Sequence, residues 1–327
     1  MRTHQIALLG GTGFVGRHLI NRLAREGHKL IVLTRRRERH RDLLVIPTLQ
    51  LIEADVHNPA MLRTHLAGCT AAVNLVGILN ERGDNGRGFH RVHVELTEKI
   101  LSACRELGMR RLLHMSALHA SPTGPSHYLQ SNGRAEALAH EAARYGLQVT
   151  SFRPSVIFGH GERFLNKFAQ LLRWTPLFLP LACPRARFAP VCVTDVVEAM
   201  ARCLDDPRSY GQRYDLCGPR SYTLQQLVAY TAWIIGVRRI IVPLPDWASR
   251  LQANVLEYVP GKPFSRDNLR SLQVDSVCAA GGALAALGIT PTPLEAVAPD
   301  YLQPSGQRRR YDDFRHRLSL PQKAGAG

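Results

Sequence analysis

The chain has 327 residues, of which 45% are apolar and 21% charged, a balance typical of globular proteins. That balance excludes a disordered tail protein, a collagen-like chain and a small disulfide scaffold. Lysine and arginine total 42 against 26 acidic residues, so the net charge is +16, which suits nucleic acid, anionic lipid or phosphorylated ligands. Because the arginines are mostly spread along the chain and no nucleic-acid-binding motif is visible, we favour a position near an anionic membrane over an RNA-associated role.

Seven cysteines occur without a CxxC pair or close spacing, which is typical of reduced thiols in a cytosolic protein, and we expect no disulfide. A strand pattern and a glycine loop follow residue 5 at once, so we expect no signal peptide. The apolar stretches are too short to span a bilayer. We expect a cytoplasmic protein, with a peripheral position on the inner face of a membrane as an alternative. His90 and His93 lie three residues apart on a predicted helix, but without a third ligand nearby we expect no metal site.

Strand and helix patterns alternate through the first half of the chain. Apolar runs predict strands at Gln5–Leu9, Lys29–Thr34, Leu49–Asp55, Ala71–Leu79, Arg111–Ala117 and Leu147–Phe158. Helical spacing is found at Phe14–Leu23, Phe89–Leu107 and Ser126–Tyr145. Strands separated by such helices predict βαβ units, and therefore an α/β Rossmann core with a doubly wound parallel sheet over residues 1–158.

From Gly159 the pattern becomes irregular and richer in proline, which predicts a smaller C-terminal mixed lobe over residues 159–310, interleaved with the core. Its predicted elements are helices at Phe164–Leu172, Thr194–Leu204 and Thr223–Ile235, and a short strand within Tyr210–Cys217. Asp195 is expected to cap the helix that starts beside it. Residues 311–327 are predicted to be a flexible tail.

The strongest motif is G-x-x-G-x-x-G, directly after the first strand and opening the first helix. Gly10 permits the tight turn, Gly13 lets the backbone approach a pyrophosphate, and Gly16 lets the helix pack close to the sheet. The N-terminus of the helix offers N–H groups and a positive dipole end to the phosphates. This motif predicts a dinucleotide site that includes Gly10, Thr12, Gly13, Phe14, Val15 and Gly16.

The residues after the second strand decide between NAD and NADP, because NAD sites place an acid there and NADP sites an arginine. Here Arg35, Arg36 and Arg37 follow the strand, and the first acid is Glu38. Their guanidinium groups fit a 2′-phosphate, so the sequence favours NADP(H) over NAD(H), although at least one of the three is also explained as part of a solvated basic loop. Further cofactor contacts are predicted from the ends of the next two strands, at Asp55, Val56, Leu75, Val76 and Gly77.

A wider set of residues resembles the extended short-chain dehydrogenase/reductase superfamily, whose members include NAD-dependent epimerases and dehydratases. The set comprises Gly10–Gly16, Asp55, Ser116, Tyr128, Arg153-Pro154 and Phe188–Asp195. More narrowly, six stretches resemble an atypical branch that contains the NAD(P)H-binding accessory subunit of complex I and its bacterial homologues: Asn74–Leu79, His114–Leu118, Tyr128–Ser131, Cys217–Pro219, Pro260–Phe264 and Leu287–Thr292. The resemblance runs from about residue 5 to 302.

The superfamily resemblance implies chemistry by a Ser, a Tyr and a Lys four residues after the Tyr. Ser116 and Tyr128 match the first two positions, whereas Asn132 stands in place of the Lys. Because a free tyrosine titrates near 10, lowering its pKa to about 7 takes roughly 4 kcal/mol, which an uncharged Asn does not supply. Asn132 can still bind a ribose hydroxyl, so we expect cofactor binding to survive where catalysis does not.

Two functional hypotheses follow. The first is an NADP(H)-binding protein of the respiratory-chain or quinone machinery with weak or no catalysis, acting in complex I, its assembly or ubiquinone biosynthesis. Its basic surface and the apolar segment Trp174–Leu181 suit docking to a membrane-bound complex. The alternative is an NADP-dependent reductase or epimerase acting on a small carbonyl or sugar-nucleotide substrate, with Tyr128 as the acid and Ser116 as the orienting donor.

Overall fold

The computed structural model describes residues 3–259, 262–279 and 282–303. The strands are β1 (Gln5–Leu9), β2 (Lys29–Thr34), β3 (Leu49–Glu53), β4 (Ala71–Asn74), β5 (Arg111–Met115), β6 (Gln148–Pro154), β7 (Ile157–Phe158), β8 (Phe178–Leu181), β9 (Arg187–Phe188), β10 (Val191–Cys192), β11 (Arg213–Leu216), β12 (Tyr222–Thr223) and β13 (Ile240–Pro243). The predicted tail 311–327, the end of the predicted lobe from residue 304, and residues 260–261 of the resemblance lie outside the described residues.

The helices are α1 (Phe14–Arg25), α2 (Pro59–Leu66), α3 (Arg87–Phe89), α4 (Leu96–Glu106), α5 (His127–Glu141), α6 (Phe164–Trp174), α7 (Val193–Arg202), α8 (Leu224–Ile234), α9 (Asp246–Leu256), α10 (Arg266–Ser271) and α11 (Leu294–Leu302). A π-helix at His90–Glu95 joins α3 to α4, and short 3₁₀ turns lie at Arg37–Val45, Ala142–Tyr145, Pro207–Ser209 and Ala285–Leu287. In the part of the chain that is described, no helix is long and apolar enough to cross a bilayer.

Seven strands form one parallel sheet in the order β11-β6-β5-β4-β1-β2-β3. The two halves of the sheet meet between β1 and β4, where the strand order reverses and a crevice opens at the carboxyl ends of the strands. This order confirms the predicted Rossmann fold. The edge strand β11 comes from the second half of the chain, so the smaller lobe contributes to the main sheet.

Apolar side chains cover both faces of the sheet. Helices α1 and α7 bury residues such as Leu19 and Val196 against one face. Helices α2, α4 and α5 bury residues such as Leu62, Ile100 and Ala139 against the other. A third core belongs to the smaller lobe, where α6, α8 and α11 pack together. The helical spacing seen in the sequence thus produces a three-layer domain with a second core laid beside it.

Three predicted elements differ from the observed ones. Strand β4 ends at Asn74 because its side-chain oxygen accepts a hydrogen bond from the Val76 N–H (3.2 Å) and turns the chain. The run 147–158 is split into β6 and β7, and the short β7 pairs with β10 outside the main sheet. The helix predicted at Phe89–Leu107 contains a wider π turn at 90–95, a feature that periodicity alone does not reveal.

Two expectations about single residues were wrong. Cys217 and Cys278, which are 61 residues apart, form a disulfide, with Cα atoms 6.0 Å apart in the usual range for such a bond. The other five cysteines are free. Asp195 does not cap its own helix, which begins at Val193; instead it accepts hydrogen bonds from the N–H (2.7 Å) and hydroxyl (2.8 Å) of Thr292. In both cases the partner is distant in sequence, so no local pattern indicates it.

Helix α5 is fastened to the edge of the sheet by a buried carboxylate. Glu136, only 3% exposed, accepts hydrogen bonds from Arg153 on β6 (2.8 Å) and Arg213 on β11 (2.7 Å). Burial alone raises the pKa of Glu136, but the hydrogen bonds from Arg153, the nearby Ser116 hydroxyl and the charges of both arginines outweigh burial and leave its pKa below the usual value. Folding therefore favours the ionised form of the Glu136 carboxylate.

Replacing Glu136 by Gln should lower the free energy of unfolding by about 2–3 kcal/mol at pH 7, because it removes the buried partner of two guanidinium groups. Since the folded-state pKa is depressed, this stabilisation is present above the unfolded-state pKa of about 4.3 and is lost as pH falls through the folded-state value. Urea unfolding of the wild type and Glu136→Gln at pH 7 and in acid measures it. The exposed Glu141→Gln on the same helix is the matched control, and equal stability of wild type and Glu136→Gln at pH 7 would contradict the assignment.

Candidate functional site

The glycine loop is pressed against the exit of β4, at the point where the strand order reverses. Gly10 has φ +81°, and a Cβ atom there would lie 2.8 Å from the carbonyl carbon of Leu75 and 2.9 Å from the nitrogen of Val76. A Cβ on Gly16 would lie 2.5 Å from Gly11. Both positions therefore require glycine, one for the loop's approach to β4 and one for the approach of α1 to the loop.

The N-terminus of α1 opens into this crevice without a side-chain cap. Gly13 is the N-cap residue, no side chain accepts from the first N–H groups, and the first turn carries no acid. Thr12, Phe14 and Val15 lie around this terminus, and the Thr12 carbonyl accepts a hydrogen bond from Arg17 Nε (3.1 Å). An uncapped helix terminus with a positive dipole end fits the diphosphate of a dinucleotide, and the contact between glycine loop and β4 forms the cradle for it.

A cleft of about 790 Å³ lies beyond the ends of β2 and β3. Arg35 and Asp55 both line it, so the structure brings together two residues that the sequence places at the adenosine end. Asp55 is held by a hydrogen bond from the His57 N–H (2.9 Å), and Val56 is buried beside it. Arg35 and Arg36 are exposed, and within the described ranges neither forms an ion pair. A phosphate is the kind of ligand that such a pair of arginines would hold.

The far wall of this cleft is shaped by Glu81, which sequence reasoning missed. Its buried carboxylate accepts hydrogen bonds from the N–H groups of Gly86 (2.6 Å), Gly88 (2.6 Å) and Phe89 (3.3 Å). These donors include the first turn of the helix that continues to Glu106. Glu81 therefore ties the loop after β4 to the start of that helix, at the wall of the cleft.

Helix α5 presents Tyr128 and Asn132 on one face. Its N-terminus is capped by Ser126 within the same chain segment and by Asp267 of α10, whose carboxylate accepts from the N–H groups of His127 (2.8 Å) and Tyr128 (3.1 Å). The buried Asp267 lies 139 residues after Tyr128, so no local pattern points to it. The smaller lobe thereby fixes the position of the residue expected to carry the chemistry.

His93 fills the space behind Tyr128. Its Nε2 accepts from the Ile78 N–H (3.1 Å), its Nδ1 lies 2.8 Å from the Ser131 hydroxyl, and its ring lies edge-on to Tyr128 at 5.9 Å. Burial lowers the pKa of His93 to about 4, so the ring is neutral at pH 7. Both ring nitrogens of His93 therefore have partners within the chain. His93 lies in the π turn, and sequence reasoning considered it only as a metal ligand.

Asn132 is turned toward the helix itself. Its Nδ2 donates to the Tyr128 carbonyl (2.8 Å) and lies 3.4 Å from His93 Nδ1. No cation contacts the Tyr128 ring among the described residues, and burial raises the pKa of Tyr128 to about 12. The phenol is thus neutral at pH 7 and available as a hydrogen-bond or proton donor.

Ser116 lies at the carboxyl end of β5, as the sequence predicts. Its hydroxyl is buried and makes no well-formed hydrogen bond within the described residues. It adjoins Glu136, whose pKa it helps to lower, one helical turn beyond Asn132. One face of α5 thus carries Tyr128, Asn132 and Glu136 in succession. Uncharged Asn132 stands at the position where the superfamily has a lysine, and the anionic Glu136 follows one turn later.

One group of side chains has the geometry of a metal site without its chemistry. Asp84, His127 and Asp267 offer ligand atoms within 4.8 Å of one another. Arg270 pairs with both carboxylates, at 3.0 Å from Asp267, and Arg266 lies 3.3 Å from Asp84. Because two guanidinium groups already balance these carboxylates and Asp267 also caps α5, we assign the group a role in joining the lobes.

Comparison with known proteins identifies the family of the chain. Residues 6–217 match the model of the NAD dependent epimerase/dehydratase family. The chain is 29% identical over 309 residues to the mouse mitochondrial NADH dehydrogenase [ubiquinone] 1 alpha subcomplex subunit 9, a match that covers 90% of this chain and 79% of that protein. It is 29% identical over 245 residues to the ceramide reductase of Caulobacter vibrioides, covering 74% of each.

Among solved structures, the UDP-N-acetylglucosamine 4-epimerase of Methanobrevibacter ruminantium superposes with a TM-score of 0.71 at 15% identity, covering 97% of this chain and all of that one. At that identity the superposition shows the fold alone. The family match spans the Rossmann core from β1 to the end of β11, and it confirms the resemblance to the extended short-chain dehydrogenase/reductase superfamily. The chain belongs to the NAD-dependent epimerase/dehydratase family.

Proposed function

We propose that the chain is an NADP(H)-binding protein of the respiratory-chain or quinone machinery, with weak or no catalysis of its own. The observation that carries this proposal is the presence of Asn132 at the lysine position. The predicted cofactor crevice leads to Tyr128, and among the described residues no cation lies beside the Tyr128 ring. The mouse relative is, by its name, a subunit of NADH dehydrogenase [ubiquinone], which supports a respiratory complex as the partner.

In this proposal the crevice residues each have a defined part in holding the dinucleotide. Gly10, Gly13 and Gly16 admit the backbone to the diphosphate, with Thr12, Phe14 and Val15 around the helix terminus. Asp55 and Val56 border the adenosine, and Leu75, Val76 and Gly77 run along the cofactor toward Asn132. When bound, the nicotinamide group would supply a site for hydride exchange. The residues of the chain position it and exclude water.

The preference for NADP(H) is proposed from the residues after β2. Thr34 ends this strand, Arg35 and Arg36 follow it exposed, and the first acid in the chain after them is Glu38. Glu38 is itself paired with Arg41. Glu53 in the same cleft accepts the Arg37 N–H (2.8 Å), so one carboxylate oxygen is engaged. The guanidinium groups of Arg35 and Arg36 are therefore available for a 2′-phosphate, which favours NADP(H) over NAD(H).

Replacing Arg35 and Arg36 together by Ala should weaken NADPH binding by a factor of about 100 or more and leave NADH binding nearly unchanged, since each charge-assisted hydrogen bond contributes about 1.5–3 kcal/mol and about 1.4 kcal/mol is a factor of ten. Fluorescence titration with both nucleotides measures the two dissociation constants. Arg39→Ala, an exposed arginine a few residues later, is the matched control. Equal losses for NADPH and NADH would show that the two arginines do not contact a 2′-phosphate.

The experiment that tests the function itself uses protein purified without added nucleotide. Mass spectrometry identifies any bound nucleotide, and a chase with excess NADP⁺ measures its release. We expect stoichiometric NADPH that is retained for hours, because a cofactor that does not turn over acts as a stabilising ligand. Empty or rapidly exchanging sites would contradict a structural cofactor, and bound NADH would contradict the assignment of Arg35 and Arg36.

The low catalytic competence is proposed from the protonation state of Tyr128. With a pKa of about 12, only about one molecule in 10⁵ carries a phenolate at pH 7. The neutral phenol is still a donor, and this observation favours the second candidate, a slow NADP-dependent reductase or epimerase acting on a small carbonyl or sugar-nucleotide substrate. The ceramide reductase from Caulobacter vibrioides is a relative whose name states such an activity.

Substituting Asn132 by Lys should lower the pKa of Tyr128 and raise NADPH oxidation with carbonyl substrates by about 100-fold over the wild type, which we expect to be barely active. Nicotinamide absorbance across a panel of ketones and aldehydes, measured between pH 6 and 9, gives the rate and its pH dependence. Asn132→Met is the control, since it fills the site without a charge. Rapid turnover by the wild type would overturn the proposal of weak catalysis in favour of the enzyme.

A further inference from the structure

The smaller lobe carries large apolar side chains on its outside. We call these residues the apolar surface. Its members are Trp174 at the end of α6, Leu177 in the following turn, Phe178 on β8, Ile240 and Val242 on β13, Trp247, Leu251 and Val255 on α9, and Tyr258 just after α9. Trp174 is 75% exposed, Trp247 69% and Tyr258 82%. Isolated exposed apolar residues are ordinary, but a set of this size on neighbouring elements is typical of an interaction site.

The elements that carry the apolar surface are joined to one another. Strands β8 and β13 are parallel neighbours, with Phe178 opposite Ile240. The Ile240 N–H donates to the Leu177 carbonyl (3.0 Å), which brings the end of α6 to the same strand pair. Helix α9 lies alongside β8, since Gln252 Nε2 donates to the Pro180 carbonyl (3.1 Å). The exposed side chains thus belong to one contiguous region of the lobe.

Helix α9 has its large apolar residues on the outer face. Trp247, Leu251 and Val255 recur at intervals of four and are all exposed, whereas the small Ser249 and Ala253 face inward. An amphipathic helix of a water-soluble domain normally shows the opposite arrangement. The apolar outer face of α9 therefore indicates that it contacts apolar material outside the chain.

The exposed charge around the apolar surface is mainly positive, and the exposed acid on its elements is Asp246 at the start of α9. Arg173, Arg238 and Arg250 are exposed, and none of them pairs with a carboxylate in the described ranges. Residues 164–185 and 224–245, which supply most of the surface, contain no Asp or Glu at all. A second copy of this chain would bring these arginines against one another, whereas a surface of negative phosphates would neutralise them.

We propose that the apolar surface binds an anionic lipid bilayer, with its aromatic residues at the level of the headgroups and the flanking arginines on lipid phosphates. Tryptophan and tyrosine favour this interfacial depth, and arginine beside an apolar face adds attraction to anionic lipid. The inference rests on the proposed function, because a protein that works with a membrane-bound complex has to reach the membrane. It does not depend on which nucleotide is bound.

Flotation of the full-length protein with vesicles of phosphatidylcholine containing 30% phosphatidylglycerol, and with vesicles of phosphatidylcholine alone, tests the proposal. We expect binding to the anionic vesicles, and a drop of about tenfold or more in the partition coefficient for the double variant Trp174→Ser/Trp247→Ser. The variant Arg238→Gln/Arg250→Gln should lose binding to anionic vesicles and its dependence on salt. Tyr145→Ser, an exposed aromatic before β6 outside the apolar surface, should bind like the wild type.

NADPH titration of every variant shows whether the Rossmann core is intact, and it separates failure of this inference from failure of the proposed function. Wild-type protein that binds NADPH but neither type of vesicle would overturn the membrane surface and leave the function standing. Concentration-dependent dimerisation that is abolished in Trp174→Ser/Trp247→Ser, without vesicle binding, would reassign the surface to a contact between copies. Equal binding of wild type and the double tryptophan variant would also overturn the proposal.

Discussion

The contact on which the rest of the site depends is the one between Gly10 and the backbone that leaves β4. A Cβ atom would come within 2.9 Å of three backbone atoms of Leu75 and Val76, so no other residue fits without separating the two halves of the sheet. Because β1 and β4 are hydrogen-bonded neighbours, this contact sets the width of the crevice at the switch point. The uncapped N-terminus of α1 then meets the exit of β4 at the separation that a dinucleotide requires.

The smaller lobe controls the other end of the crevice. Its Asp267 binds the first two N–H groups of α5, and its edge strand β11 supplies Arg213, which binds Glu136 two turns beyond Tyr128. Helix α5, which carries Tyr128, is thus held by the smaller lobe at two points. A movement of the lobe would be transmitted to α5 through these hydrogen bonds, and hence to the residue closest to the expected nicotinamide position. The same lobe carries the apolar surface, so the proposed membrane contact and the contacts to α5 belong to one lobe.

The sequence alone predicts the Rossmann core because its signals are local. Glycine spacing, apolar runs of five or six residues and helical periodicity are all contained within short windows, and they predict β1, α1 and β2 with correct boundaries or nearly so. What it does not predict depends on distant partners or on a subtle change of helix type. Asp267, the Cys217–Cys278 disulfide and the place of β11 in the main sheet each join segments more than 50 residues apart. The π turn that contains His93 has no periodic signature in the sequence.

The apolar character of α9 illustrates a different limit. Its exposed stripe has the same four-residue period as a buried one, so periodicity identifies an amphipathic helix but not the phase that its apolar face meets. Only burial in the folded chain shows that Trp247 and Leu251 point away from the core of the lobe. Sequence reasoning singled out Trp174–Leu181, which forms part of this region, and missed the helix that extends it.

The loss of a lysine and the retention of a crevice are physically compatible because they draw on different interactions. The crevice at the glycine loop relies on backbone geometry and a helix dipole, neither of which involves position 132. Catalysis by Tyr128 would rely on a cation close to a buried phenol, and there the chain has Asn132, His93 kept neutral by burial, and anionic Glu136 further along. A ligand at 100 times its dissociation constant stabilises the fold by about 2.7 kcal/mol whether or not it reacts. Stabilisation by a bound dinucleotide would therefore give the crevice a use that does not depend on catalysis by Tyr128.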